Sequence, residues 1–153
     1  AERPRARSNA LTRAHALRKI LISVFTAAAM INSSEIAAAP EAPEAILIAQ
    51  WQNLRPFVTE AMAHAELASG DHAYQLTWPV IERLDAMLWP IAVAASQLLT
   101  GPQLGRLKKC ASCPWLFIDQ SKNFSRRWCD MNVCGTHEKM RRYVIRRAAK
   151  KQS

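Results

Sequence analysis

Residues 110–134 read CASCPWLFIDQSKNFSRRWCDMNVC, and they hold all four cysteines of a 153-residue chain. The cysteines fall in two close pairs, Cys110-x2-Cys113 and Cys129-x4-Cys134, with fifteen residues between the pairs. That spacing predicts a zinc site, because a zinc ion takes four thiolates or imidazoles in a tetrahedron, two from a short knuckle and two from a second segment. Four protein ligands close the coordination sphere to water and substrate. The metal is therefore expected to be structural, one Zn2+ per chain, and to supply folding energy to a segment too short for a core of its own. Disulfides explain the pattern less well, since they suit secreted domains and staple distant loops. His137, three residues after Cys134, lies near enough to compete, but a complete set of thiolates does not need it.

The flanking text resembles the CGNR-type zinc finger that ends bacterial stress-induced transcription regulators. The resemblance rests on Trp115-Leu116-Phe117-Ile118-Asp119, on Ser121 and Asn123, on Ser125-Arg126-Arg127-Trp128-Cys129, and on Cys134-Gly135 opening a basic tail. The family signature continues Asn-Arg after Cys-Gly. Here Thr136 and His137 stand in those places, so whatever that pair does in the family does not carry over. Upstream, Leu84-Asp85-Ala86-Met87-Leu88-Trp89-Pro90-Ile91-Ala92 and Leu98-Leu99-Thr100 are similar to the end of the family's N-terminal helical domain, sometimes called the ABATE domain. The family's opening Asn-Thr stretch and an initiator Met are missing, so the chain is expected to be a truncated or processed piece. The resemblance implies a helical sensor or assembly domain over residues 1–101, a DNA-binding zinc finger over 102–153, and a cytoplasmic regulator of transcription.

Charge points the same way. Residues 106–153 carry thirteen Lys/Arg against three acids, a net of +10, whereas residues 1–105 carry eight against nine, a net of −1. A near-neutral unit with a basic appendage is the footprint of a polyanion-binding tail. A run of cations on a surface helix is ordinarily a solvated face, but so many with so few acids repel one another unless phosphates meet them. Arg126, Arg127, Lys139, Arg141, Arg142, Arg146, Arg147 and Lys150 are the candidate nucleic-acid contacts. Phosphate contacts give affinity and not sequence choice.

The periodicity predicts a mainly α chain: a helical N-terminal domain with a small β-hairpin, followed by a treble-clef-like finger. Residues 1–8 are expected to fray, with Ser8 or Asn9 capping a helix over 10–31 whose inward stripe is Leu11, Leu17, Leu21, Val24, Phe25 and Ala28. Basic residues, the apolar run 20–31 and Ala37-Ala38-Ala39-Pro40 together imitate a secretory signal peptide. A reduced four-thiolate site favours the helix, and twelve apolar residues are too few to span a bilayer, so no membrane partner is expected.

Pro40 and Pro43 bracket a linker before a second helix to about Ala65, with Ile46, Leu47, Trp51, Leu54, Val58 and Met62 inward and a kink or break at Pro56. Tyr74 to Trp78 alternates like a strand that pairs with 65–68 across the turn Ser69-Gly70-Asp71. A third helix is predicted over 80–99, bent at Pro90, with Trp89 in the core and Gly101-Pro102 ending it. A short helix over 103–108 leads to the knuckle. Strands over 115–119 and 126–129 should form the finger's hairpin, and a helix over 132–149 should bury Met140, Val144 and Ala148 while Lys139, Arg142, Arg146 and Lys150 face solvent.

Three function classes follow. A DNA-binding regulator is the first, with a homodimer and an unknown small-molecule effector left open. An RNA-binding or protein-interaction zinc module is the second, since Trp115, Phe117, Phe124 and Trp128 suit stacking on bases, although they read first as finger core. An enzyme is not expected: there is no phosphate loop, no nucleophile set and no open metal site. His15, His64, His72 and His137 are scattered, and Glu82 with Asp85 reads as a solvated pair.

Overall fold

The computed structural model describes residues 2–33, 42–71 and 73–151. The described residues form helix α1 (Glu2–Asn32), helix α2 (Pro43–Ala63), strands β1 (Glu66–Ser69) and β2 (Tyr74–Thr77), and helix α3 (Leu88–Thr100). Strands β3 (Leu107–Lys109) and β4 (Leu116–Ile118) follow, then helix α4 (Thr136–Lys151). The linker expected around Pro40 lies outside the described residues, as does His72.

Several helix starts are set by prolines. Pro43 opens α2, Pro102 opens a 3-10 turn, Pro102–Arg106, and Pro90 is the third residue of α3. In a first turn the missing N–H has no intrahelical acceptor to disappoint, so proline costs nothing there. Pro90 therefore marks a beginning and not the interior bend expected of it. The segment before it has no helix up to Arg83 and then a 3-10 turn, Leu84–Met87, so α3 starts eight residues later than the periodicity predicts. Helix α1 starts earlier than predicted, at Glu2, because its opening residues are mostly strong helix formers. Ser8 sits inside it, accepting at its carbonyl from Thr12 Oγ1 at 2.9 Å. Helix α2 continues through Pro56 without a break.

The predicted hairpin is present: β1 and β2 are antiparallel, with Glu66 opposite Thr77 and Ser69 opposite Tyr74. Its turn closes by Gly70 N–H donating to Ala73 O at 2.9 Å. A Cβ at Gly70 would lie 2.6 Å from that oxygen, so only glycine fits the turn.

Three apolar clusters hold the elements together. Leu17, Leu54, Leu88 and Ala95 join α1, α2 and α3. Ala61, Trp89 and Val93 carry Leu76 and Trp78 of the hairpin side, and Trp78 Nε1 donates to Ala61 O at 2.8 Å. Ala28 and Ala29 meet Leu107, Leu116 and Ile118, so the last turns of α1 cover the β3–β4 hairpin. Leu11 and Met62, both expected inside, are exposed. By length and composition α1 could cross a bilayer. In this fold Leu17, Val24, Ala27, Ala28 and Ala29 of that helix are buried.

Above the first cluster Arg13 pairs with Glu60 and with Asp85 (2.9 Å), and Arg83 pairs with the same two acids, so Asp85 is occupied by ion pairs rather than partnered with Glu82.

One polar clasp ties α1 to the finger. Asn32 Nδ2 donates to Leu104 O at 2.6 Å and to Leu107 O at 3.1 Å. Asn32→Ala leaves both carbonyls without this donor, and global stability measured by denaturant unfolding should fall by about 1 kcal/mol.

Candidate metal centre

The knuckle begins where β3 ends. Cys110 N–H donates to Trp115 O at 2.9 Å, reversing the chain into β4, and Ala111 N–H donates to Arg127 O at 2.9 Å, which draws the second half of the finger over the first. Strand β4 pairs with β3, Leu107 opposite Ile118 and Lys109 opposite Leu116. This corrects the predicted hairpin: residues 126–129 are a loop and not a strand, and the expected short helix over 103–108 gives way to the 3-10 turn followed by β3. Leu107 has to be buried against Ala28 and Ala29, and pairing with β4 satisfies the backbone there.

Cys134 is delivered by a local cap. Asp130 Oδ1 accepts from Asn132 N–H at 2.7 Å and from Val133 N–H at 2.9 Å, starting a π-turn, Met131–Gly135, that runs straight into α4. Thr136 Oγ1 donates to Met131 O at 3.4 Å, a local role for one of the two positions at which the family signature differs. Negative charge is favoured at this helix start.

The four Sγ atoms lie within 4.8 Å of one another. Cys113 and Cys129 are 3.6 Å apart, and Cys129 and Cys134 are 3.7 Å apart. Disulfide sulfurs would be about 2.05 Å apart, and all four thiols are free. Zinc–thiolate bonds of about 2.3 Å set tetrahedral S···S edges of about 3.8 Å, so the donors and their spacing fit one zinc ion. His137 is exposed and outside the group.

The thiols are unequal. Burial opposes ionisation of Cys110, but N–H groups of Cys129, Ser112 and Cys113 outweigh it and pull the thiol down to about 6. Cys129 N–H donates to its sulfur at 3.4 Å. Hydrogen bonding to Cys113 and Cys129, with burial, pushes Cys134 up to about 12, and burial with the Cys113 contact pushes Cys129 up. Without a cation the cluster resists holding several negative charges at once, which is the electrostatic demand a divalent ion meets.

Asp119 organises the loop between the pairs. It is fully buried. Its Oδ1 accepts from Ser121 N–H at 2.9 Å and Ser121 Oγ at 2.6 Å, and its Oδ2 accepts from Lys108 Nζ at 2.7 Å and Arg126 N–H at 3.1 Å. Burial alone would raise its pKa, but these donors outweigh it and hold the carboxyl well below the usual carboxylate range. Lys108 also donates to Phe124 O, and Phe124 adopts φ of 53°, an unusual conformation for a bulky residue. The guanidinium of Arg106 lies 4.1 Å from the Phe124 ring centroid, on the ring's face. The sequence signal was an acid closing an apolar strand with Ser two residues on, an Asx-type turn.

The candidate nucleic-acid contacts separate into groups. Arg141 pairs bidentately with Glu138, at 2.9 and 2.8 Å, and Arg142 reaches the same carboxylate at 3.2 Å. Arg141, then burial opposing it, then Arg142 set the Glu138 carboxyl, which falls to about 2. The expectation that these two arginines lack acid partners is corrected by that pairing. Arg126 lies over Phe117 and Arg127 over Trp128. Lys139, Arg146, Arg147 and Lys150 are exposed and form no ion pair among the described residues.

Helix α4 does not bury the stripe predicted for it. Met140 and Val144 are 58% and 60% exposed, and Ala148 is also exposed. The helix leaves the zinc turn with no element laid along it strongly enough to cover a face; its main contact is the π-turn itself. The aromatics divide as well: Trp115 is 71% and Phe124 47% exposed, against the expectation of finger core, while Phe117 and Trp128 are half-buried.

A four-thiolate knuckle, a β-hairpin and a helix entered from the last ligand define a structural zinc finger. Residues 106–147, from just before β3 into α4, match the CGNR zinc finger family. No curated protein matched the chain.

Proposed function

We propose that the chain is a DNA-binding transcription regulator of the bacterial stress-responsive kind, in which the finger meets duplex DNA and the ABATE-like helical part senses a signal or mediates assembly. The observation that carries this reading is α4: a helix anchored at its N-terminus by the zinc turn, with every side chain from Lys139 to Lys150 exposed. An α-helix of about 10–12 Å diameter fits the major groove of B-DNA, about 12 Å wide. Lys139, Arg146, Arg147, Lys150 and Arg127 supply charge for phosphates, and Met140, Tyr143 and Val144 supply apolar contact for base edges. RNA is the second reading, favoured by exposed Trp115, on which a splayed base can stack.

Anisotropy titrations of zinc-loaded protein with labelled duplex DNA, across a salt series, test the first reading. Five phosphate contacts give a log–log slope near about −4.5, a loss of about 500-fold between 50 and 200 mM salt. Equal binding after chelation, or displacement by single-stranded RNA but not by duplex, overturns it.

A further inference from the structure

Away from α4, a cleft of about 250 Å³ opens between the end of α1 and the finger, lined by Ala29, Met30, Asn32 and Ser33 on one side and by Lys108, Lys109, Ala111, Arg126 and Arg127 on the other. No carboxylate among the described residues lines it. We infer that this cleft is a phosphate site, in which Lys109 and Arg127 hold one backbone phosphate of the nucleic acid that α4 engages; the identity of the polyanion rests on the reading above.

The argument is one of exhausted partners. On the α1 side the polar groups are already committed: Asn32 Nδ2 to Leu104 O and Leu107 O, and Ser33 Oγ to Met30 O. On the finger side Lys108 Nζ is spent on Asp119, Phe124 O and Arg126 O. Arg126 gives Nη2 to Cys129 O and lies over Phe117. Ala111 N–H is bound to Arg127 O. What the cleft has left to offer is the charge of Lys109 and of Arg127, whose position over the Trp128 ring spends none of its N–H groups, with the remaining N–H groups of Arg126 beside them.

The C-terminal end of α1 supplies a rival explanation, since helix ends of that sense attract cations. It brings about half a negative charge, which offsets only part of three cations. The cleft is smaller than the pockets of about 300–1,000 Å³ that take drug-sized ligands, and a tetrahedral dianion or phosphodiester is of the right scale. The site also gives the helical part a share in binding, because α1 forms one wall.

The test uses the full zinc-loaded chain in two arms. In the first, the salt slope for duplex DNA is measured for the parent chain, for Lys109→Ala/Arg127→Ala, and for Arg146→Ala/Lys150→Ala. The cleft variant is expected to reduce the slope by about 0.9, the share of the one phosphate it holds, and to add to the loss in the helix variant. In the second, inorganic phosphate is titrated without nucleic acid and amide shifts are followed by NMR. Shifts should gather at Ser33, Lys109 and Ala111 and vanish in the cleft variant, whose zinc content must remain that of the parent. Lys109→Arg should restore both readouts. Duplex binding with an unchanged slope and no cleft shifts overturns the phosphate site and leaves the DNA reading standing. Cleft shifts without duplex binding overturn the DNA reading and leave a phosphate site. Shifts that persist in the cleft variant overturn the residue assignment.

Discussion

Cys134→Ser is expected to abolish stoichiometric zinc binding and to melt residues 107–135, leaving the three-helix core intact. Structural zinc contributes about 10–16 kcal/mol to finger-sized segments at neutral pH, far more than the short β3–β4 ladder and one apolar cluster supply. Helix α4 should go with it. Its sixteen residues are marginal in isolation, and its main contact is the turn that Cys134 holds in place. The last turns of α1 should loosen too, since Ala28 and Ala29 are covered by Leu107, Leu116 and Ile118. The clusters around Leu17, Leu54 and Leu88 and around Ala61, Trp89 and Val93 contain no finger residue and should hold. Hydrogen exchange reads this directly: protection lost over 107–151 and near 25–32, retained in the middle of α1, α2 and α3. Uniform loss would mean one cooperative core, and unchanged protection would remove the structural role of the metal.

The same site has a pH signature. In the metal-free cluster Cys129 and Cys134 are pushed up and stay protonated at neutral pH, while Cys110 lies near 6. Zinc binding at pH 7 therefore releases protons from at least those two thiols. The stability that zinc supplies therefore rises with pH through the neutral range, because those protons are released on binding, and falls as acid competes for the sulfurs. Titration of zinc into weakly buffered metal-free protein measures the protons released.

How much of this was legible in the sequence depends on range. The ligand set was, because two close cysteine pairs encode local knuckles and a metal needs nothing else to bring them together. The β1–β2 hairpin was, because Ser69-Gly70 and the alternation around Tyr74–Thr77 are local signals. Strand β3 was not: Leu107-Lys108-Lys109 carries no strand pattern, and becomes one because Leu107 must lie against α1 and β4 is there to pair with it. Helix α3 starts later than its apolar period implies, since a proline after an apolar run looks like an interior kink unless the residues before it are known to lie outside the α-helix. On α4 the apolar period was real, but amphipathic spacing states only which side could be buried, not that a partner stands opposite. Arg141 and Arg142 were legible as cations; their capture by Glu138 follows from i,i+3 and i,i+4 geometry that the charge count passed over.

Asp119 was visible only as part of a motif, and its replacement should have the largest effect of any change outside the cysteines on the finger's hold on zinc. Asp119→Asn preserves volume and removes both the charge and one acceptor. Four donors converge on the two oxygens, two at each. An asparagine must turn its NH2 toward either Lys108 Nζ and Arg126 N–H or toward Ser121, and each choice sets donor against donor. The Ser121 hydroxyl can rotate away, while an ammonium and a backbone amide cannot, so the amide oxygen should keep the Lys108 side and Ser121 N–H should be lost. Ser125 N–H, which donates to Ser121 Oγ at 3.1 Å, would follow. The backbone of residues 120–128 then loses the fix that sets Cys129 beside Cys110, and zinc affinity should fall by about ten- to a hundredfold, as when outer partners of metal ligands are removed. Competition with a chromophoric chelator at pH 7 measures it. The depressed carboxyl contributes stability that is complete above about pH 4 and lost only as pH falls through its low folded value. Protons displace zinc from the sulfurs before that, so the acid midpoint of zinc release should move only as far as the weaker affinity dictates, with no added proton in its steepness. An affinity equal to the parent's would mean that Cys129 is positioned by the metal and the Ala111–Arg127 hydrogen bond alone.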